Sequence, residues 1–144
     1  MATPATIHRE MAETWNRRDF DAFRKLIHPE YSYTGPDGKV MTGGPDVALG
    51  VAQLYANAFP DAELEVKRVY TQGDVAIAEM FAKGTHGGDL MGVPATGRPV
   101  EINICNVAEV RDGKIYRERE YMDMFTMLAQ IGAVGAPGQA ARRA

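Results

Sequence analysis

Three polar side chains near the C-terminus, Asn106, Glu118 and Glu120, lie in stretches where polar and apolar residues alternate. Along 100–110, one set is Ile102, Ile104, Asn106 and Ala108, and the other is Glu101, Asn103, Cys105, Val107 and Glu109. Along 114–122, Tyr116, Glu118, Glu120 and Met122 alternate with Ile115, Arg117, Arg119 and Tyr121. In a strand, alternate residues share a face. A carboxyl group on an apolar wall loses solvation in its charged form, so its pKa rises and it becomes a usable acid or base near neutral pH. A neighbouring amide can donate a hydrogen bond to an enolate oxygen.

Whether the two glutamates share a face with Asn106 depends on the turn Arg111-Asp-Gly113. A three-residue loop with Gly113 left-handed opposes Val110 to Lys114 and gathers Asn106, Glu118 and Glu120 inward. A two-residue Asp-Gly turn instead sends Arg117 and Arg119 among the isoleucines. Burying two unpaired guanidinium groups is costly, so the first register is the one expected; the sequence leaves both turns open. Glu120 is then the candidate acid/base, and Asn106, Tyr33 or His86 a candidate oxyanion donor. Trp15, Tyr33, Leu54, Phe59, Met80, Ile102, Ile104, Glu118 and Met122 are candidate substrate contacts.

Other chemistry-bearing residues have plainer readings. Asp123 precedes the apolar spacing Met124, Met127, Leu128, Ile131 and suits a helix N-cap. His8, His28 and His86 lack metal-ligand spacing, so no metal site is expected; His8 and His28 are expected at the surface or at helix ends. His86 lies in the glycine-rich segment 84–99, expected to be a mobile loop at the pocket mouth. That segment carries no phosphate-binding signature. Cys105, the only cysteine, falls on the outward set and excludes an intrachain disulfide.

Helices are expected at 4–18, after Asp19 with Phe20, Phe23 and Ile27 on one side, at 45–59 with Val47, Val51, Leu54, Tyr55 and Ala58 as its stripe, and from Asp123. A small hairpin flanks Gly35-Pro-Asp-Gly38, and long strands are expected at 62–71, 75–83, 100–110 and 114–122. Helices followed by a long antiparallel sheet indicate an α+β fold, with a strongly curved sheet closed at one end by the N-terminal helices around a cavity. One domain over 1–132 and a disordered tail over 133–144 account for all 144 residues. A net charge of −3 with scattered basic residues predicts no nucleic-acid partner. No apolar run is long enough to span a membrane and no signal peptide is evident, so a cytoplasmic location is expected.

The ordered set Phe59-Pro-Asp61, Gly73-Asp74, Gly84-Thr-His86, Gly92-Val-Pro94, Thr96-Gly97, Asp112-Gly-Lys-Ile115 and Gln130-Ile-Gly132 resembles the SnoaL-like polyketide cyclases, within the nuclear transport factor two-like superfamily. The resemblance covers residues 5–132. It implies a cone-shaped α+β barrel, a homodimer formed through the sheet, a small apolar or polyketide-like ligand, and intramolecular aldol closure or isomerisation of a carbonyl compound without cofactor or metal. It also implies an aspartate on the last strand as acid/base and a histidine on the strand before. Glu120 and Asn106 occupy those positions here, so the acid is one methylene longer and the histidine is an amide. Trp15 falls at an aromatic pocket position of the family. The alternative expectation is a non-catalytic protein that binds a small molecule in the same pocket.

Overall fold

The computed structural model describes residues 2–135; the remainder of the expected tail, 136–144, lies outside them. Helix α1 (Pro4–Asn16) starts where Thr3 and Thr6 cap each other reciprocally, with Pro4 at the first helical position. Its buried face is Ile7, His8, Met11, Ala12, Thr14 and Trp15. Helix α2 (Phe20–Lys25) is capped by Asp19. It ends two residues earlier than its apolar spacing suggests: Ile27 opens strand β1 (Ile27–Thr34) and pairs with Ile115. Strand β2 (Val40–Thr42) is a short, exposed edge. Helix α3 (Pro45–Ala58) follows Gly44, whose φ is +71°; a Cβ there would lie 2.4 Å from the Pro29 carbonyl oxygen, so the chain needs glycine at this entry.

The remaining elements are β3 (Glu63–Gln72), β4 (Val75–Thr85), β5 (Pro99–Arg111), β6 (Lys114–Met122) and α4 (Met124–Gln130). The six strands form one sheet in the order β2-β1-β6-β5-β4-β3. It is antiparallel throughout except at β1–β6, which is parallel. Inward residues of β4 and β5 are consistently buried, Ala76, Ala78, Met80 on one and Val100, Ile102, Ile104, Asn106, Ala108 on the other, and the helices pack on that side. None of the described helices is long and apolar enough to cross a membrane.

The last hairpin reaches the expected facing by a different route. Arg111 pairs with Lys114 across a two-residue turn, with Asp112 and Gly113 at φ +54° and +72°. That turn alone would bury the arginines. Tyr116 is an extra residue between the pairs Val110–Ile115 and Glu109–Arg117, and this bulge flips every later side chain on β6. Asn106 therefore opposes Glu120, and Ala108 opposes Glu118, on the inner face. Arg119 points outward to Glu109 at 2.7 Å, and Arg111 stacks on the Tyr116 ring.

The segment 86–98, expected to be mobile, is pinned. The His86 N–H donates to the Arg98 carbonyl and the Gly97 N–H to the His86 carbonyl, each at 2.9 Å. Gly87 and Gly88 donate to the Ala58 carbonyl, and Leu90 is fully buried. A Cβ on Gly88 would lie 2.1 Å from the Asn57 carbonyl oxygen, so this glycine permits close approach to α3. Helix α4 is fastened to β5 by Gln130, which accepts from the Glu101 N–H at 3.0 Å and donates to its carbonyl at 2.9 Å.

Arg18 ties α1 to the end of α3. Its guanidinium donates to the carbonyls of Trp15, Phe59, Pro60 and Ala62 and lies 4.0 Å from the Trp15 ring centroid. Replacing Arg18 with Ala leaves these carbonyls without a charged donor. The expected loss is about 2 kcal/mol, measured by urea unfolding.

Candidate active site

Between the helices and the sheet lies a hollow with a cavity volume of about 120 Å³, open on one side. Its sheet wall includes Met80, Ala82, Ile102, Ile104, Asn106, Glu118, Glu120 and Met122. Helix α1 contributes His8, Met11, Ala12 and Trp15, and α3 contributes Val51, Ala52 and Tyr55. Phe23, Tyr33, Phe59 and Met127 complete much of the remainder. The wall is mostly apolar, with its acids gathered on β6.

Asn106, 1 % exposed, organises the polar end. Its amide nitrogen donates to Glu118 Oε2 at 2.8 Å and to Glu120 Oε2 at 3.2 Å. Its Oδ1 pairs with His8 Nε2 at 2.9 Å. With both amide protons committed to carboxylates, Oδ1 can only accept, so His8 carries its proton on Nε2. The Tyr31 hydroxyl donates to Glu118 Oε1, and Tyr33 donates to Glu120 Oε1 at 2.8 Å. Each carboxylate thus accepts from one tyrosine and from the shared amide.

No ion pair among the described residues reaches either glutamate. Burial, then the neighbouring Glu118 charge, pushes the Glu120 carboxyl up to about 7, against the opposing bonds from Tyr33 and Asn106. Burial also raises Glu118, opposed by Tyr31 and Asn106. Burial and the adjacent carboxylates raise both tyrosines, keeping them protonated donors. His8 is lowered by burial and stays neutral, although its bond to Asn106 opposes that shift. The site therefore offers a carboxyl that exchanges a proton near neutrality, enclosed in apolar surroundings.

Of the residues singled out from sequence, Trp15, Tyr33, Phe59, Met80, Ile102, Ile104, Asn106, Glu118, Glu120 and Met122 all line this hollow. Two do not. Leu54 is 40 % exposed: it lies about 200° around α3 from the buried Ala52. His86 is fully buried outside the hollow's lining, behind Phe59, with Nδ1 accepting from the Thr96 N–H at 3.3 Å and 3.0 Å from its hydroxyl. His8 and His28, expected at the surface or at helix ends, are buried, His8 within α1 and His28 on β1. His8 was missed as a site residue although it shares the helical spacing 8, 12, 15 with Ala12 and Trp15. Tyr55 lay in the recognised α3 stripe without being singled out. Asp123 caps α4, accepting from Thr126 N at 2.9 Å. Among the described residues no group of three or more His, Cys, Asp or Glu side chains could hold a metal ion.

This fold and site have known relatives. The SnoaL-like polyketide cyclase profile matches residues 5–131. The chain belongs to the SnoaL-like polyketide cyclase family. It is 29% identical over 125 residues to the aklanonic acid methyl ester cyclase AcmA of Streptomyces galilaeus, covering 86% of this chain and 87% of the relative. It is 28% identical over 123 residues to the nogalonic acid methyl ester cyclase of Streptomyces nogalater, covering 85% and 92%. Among solved structures, the candidate polyketide cyclase IdmH of Streptomyces antibioticus superposes with a TM-score of 0.78 at 33% identity, covering 91% of this chain and 99% of that one. A SnoaL-like protein from Jannaschia reaches a TM-score of 0.84 at 20% identity, covering 90% and 92%, a likeness of fold alone.

The raised Glu120 carboxyl makes stability depend on pH. Its folded-state value of about 7 exceeds the ordinary 4.5, so the folded protein holds the extra proton between those values. Stability is complete below about pH 4.5 and falls as pH rises through about 7. Relative to Glu120→Gln, the wild type is expected to lose about 2 kcal/mol across this window, the full shift being discounted for water reaching the hollow. Urea unfolding of both proteins at several pH values measures the difference.

Proposed function

We propose that this protein is a cofactor-independent acid/base enzyme that enolises a carbonyl compound and closes or rearranges a ring, as polyketide cyclases do. The observation that carries this reading is Glu120, a carboxyl held by Tyr33 and Asn106 on the wall of an apolar hollow, where burial pushes it up to about 7. Ionised Glu120 removes a proton beside a carbonyl. The C–H electron pair becomes the enolate double bond and the carbonyl oxygen takes the negative charge. In a cyclisation, the enolate carbon attacks a second carbonyl of the same molecule, and protonated Glu120 returns its proton to the new alkoxide. These steps are redox-neutral, so their balance requires no oxidant or reductant.

Asn106 is a positioning residue in this scheme. An amide does not shuttle protons, and both of its N–H groups hold the carboxylates. The names of the relatives point to a polyketide-like methyl ester as substrate class. Trp15, Phe59, Met80 and Ile102 offer such a molecule apolar walls, with one end enclosed and the rest at the open side. The reading extends to a homodimer through the outer sheet face, where Tyr121 is 57% exposed and Val107 is half-buried. Val107→Arg is expected to turn a dimer into a monomer in sedimentation velocity.

Aklanonic acid methyl ester and nogalonic acid methyl ester are the first trial substrates. Glu120→Gln is expected to lower turnover by at least about 10²-fold. A rate unchanged by that replacement removes Glu120 from the chemistry. The wild-type rate is expected to rise with pH through about 7, as the base form appears. In Glu118→Gln, which removes the neighbouring negative charge, this midpoint should move to lower pH.

A further inference from the structure

Nearly every side-chain donor lining the hollow can be followed to an acceptor. Trp15 Nε1 donates to the Ala52 carbonyl at 3.0 Å, and His8 Nε2 donates to Asn106 Oδ1. The two N–H groups of Asn106 and the hydroxyl of Tyr33 are committed to the carboxylates. Two lining residues keep free donors. Lys83 is exposed at an outward position of β4, where water solvates it. The other is Tyr55, half-buried on α3 one turn beyond Val51, whose hydroxyl has no hydrogen-bond partner among the described residues.

Tyr55 and the acid line the same hollow. Burial and then the Glu120 charge keep its phenol protonated, and Tyr33 in turn feels Tyr55. A hydroxyl that lines a hollow without an acceptor contributes nothing to folding that phenylalanine would not. In a hollow that also holds a base, the same hydroxyl has a chemical use.

We propose that Tyr55 is the oxyanion donor of this site, its hydroxyl receiving the carbonyl oxygen of an enolisable ketone whose acidic C–H faces Glu120. This rests on the acid/base reading of Glu120. When the proton passes from carbon to Glu120, charge builds on the ligand oxygen; the Tyr55 O–H bonds to that oxygen and keeps its own proton. The bond is stronger to the enolate than to the ketone, so it favours the transition state. Tyr33 cannot take this role while its hydroxyl holds Glu120.

Two measurements test the assignment with chosen small molecules. The first follows deuterium exchange at C1 of 2-tetralone in D2O by NMR. Tyr55→Phe should slow the enzyme-catalysed exchange roughly 10²-fold, with little change in KM, in thermal midpoint or in the pH at which the rate is half-maximal. Glu120→Gln should abolish the exchange. If Glu120→Gln abolishes it and Tyr55→Phe does not slow it, the Tyr55 proposal fails and the base assignment stands. If Glu120→Gln leaves it unchanged, or if the wild type gives no exchange, the acid/base reading fails and the second measurement alone decides Tyr55. That measurement titrates bound 2-naphthol by absorbance in Glu120→Gln, where the competing charge is gone. Adding Tyr55→Phe should weaken the bound probe's ionisation at least about tenfold, because the donor favours the naphtholate. Equal ionisation in the two proteins, or no binding of 2-naphthol, overturns the proposal.

Discussion

Asn106 has two amide protons, and the fold assigns one to each of two buried carboxylates. This arrangement lets Glu118 and Glu120 sit side by side in an apolar hollow without a cation between them. Burial raises both carboxyl groups, and the shared amide limits the rise. Two phenols complete the restraint, Tyr31 on Glu118 and Tyr33 on Glu120. His8 holds the amide the right way round, because its Nε2–H leaves Oδ1 no other role. Helix α1 and strands β5 and β6 meet in this one side chain, and β1 joins them through the two phenols.

The network gives the two glutamates different characters. Glu118 is 8 % exposed, and as a buried neighbour its charge raises the Glu120 carboxyl. Glu120 keeps some accessible surface, and that surface belongs to the hollow. Environment, rather than residue type, separates the two carboxyl groups. The family resemblance implied an aspartate and a histidine at positions 120 and 106. The extra methylene and the amide found there keep a carboxyl in the hollow, while an imidazole reaches the same amide from α1.

Much of this was legible in the chain. The alternation in 100–110 and 114–122 placed Ile102, Ile104, Asn106, Glu118 and Glu120 on one wall, because a strand has a period of two and burying arginine is costly. The α1 stripe was equally clear, since Ile7, Met11 and Trp15 recur at helical spacing. Local signals also misled. Asp112-Gly113 makes a two-residue turn, and the expected facing survives through a bulge at Tyr116 that no local residue signal announced. The glycines of 84–99 suggested mobility, yet Gly88 serves close approach to α3. His86, expected at a pocket mouth, therefore lies behind Phe59.

Sequence by itself determined the elements, their periodicity and the type of acid available, because these follow from short-range sterics and from the cost of burying charge. It did not determine the parallel pairing of β1 with β6, since strands separated by most of the chain carry no turn to announce their partner. That pairing brings Tyr31 to Glu118 and Tyr33 to Glu120, each 87 residues apart. It did not place His8 against Asn106, 98 residues away, or leave Tyr55 as the hollow's half-buried donor without an acceptor. A hydrogen bond depends on two groups meeting at about 3 Å, and only the tertiary structure sets such distances between remote residues.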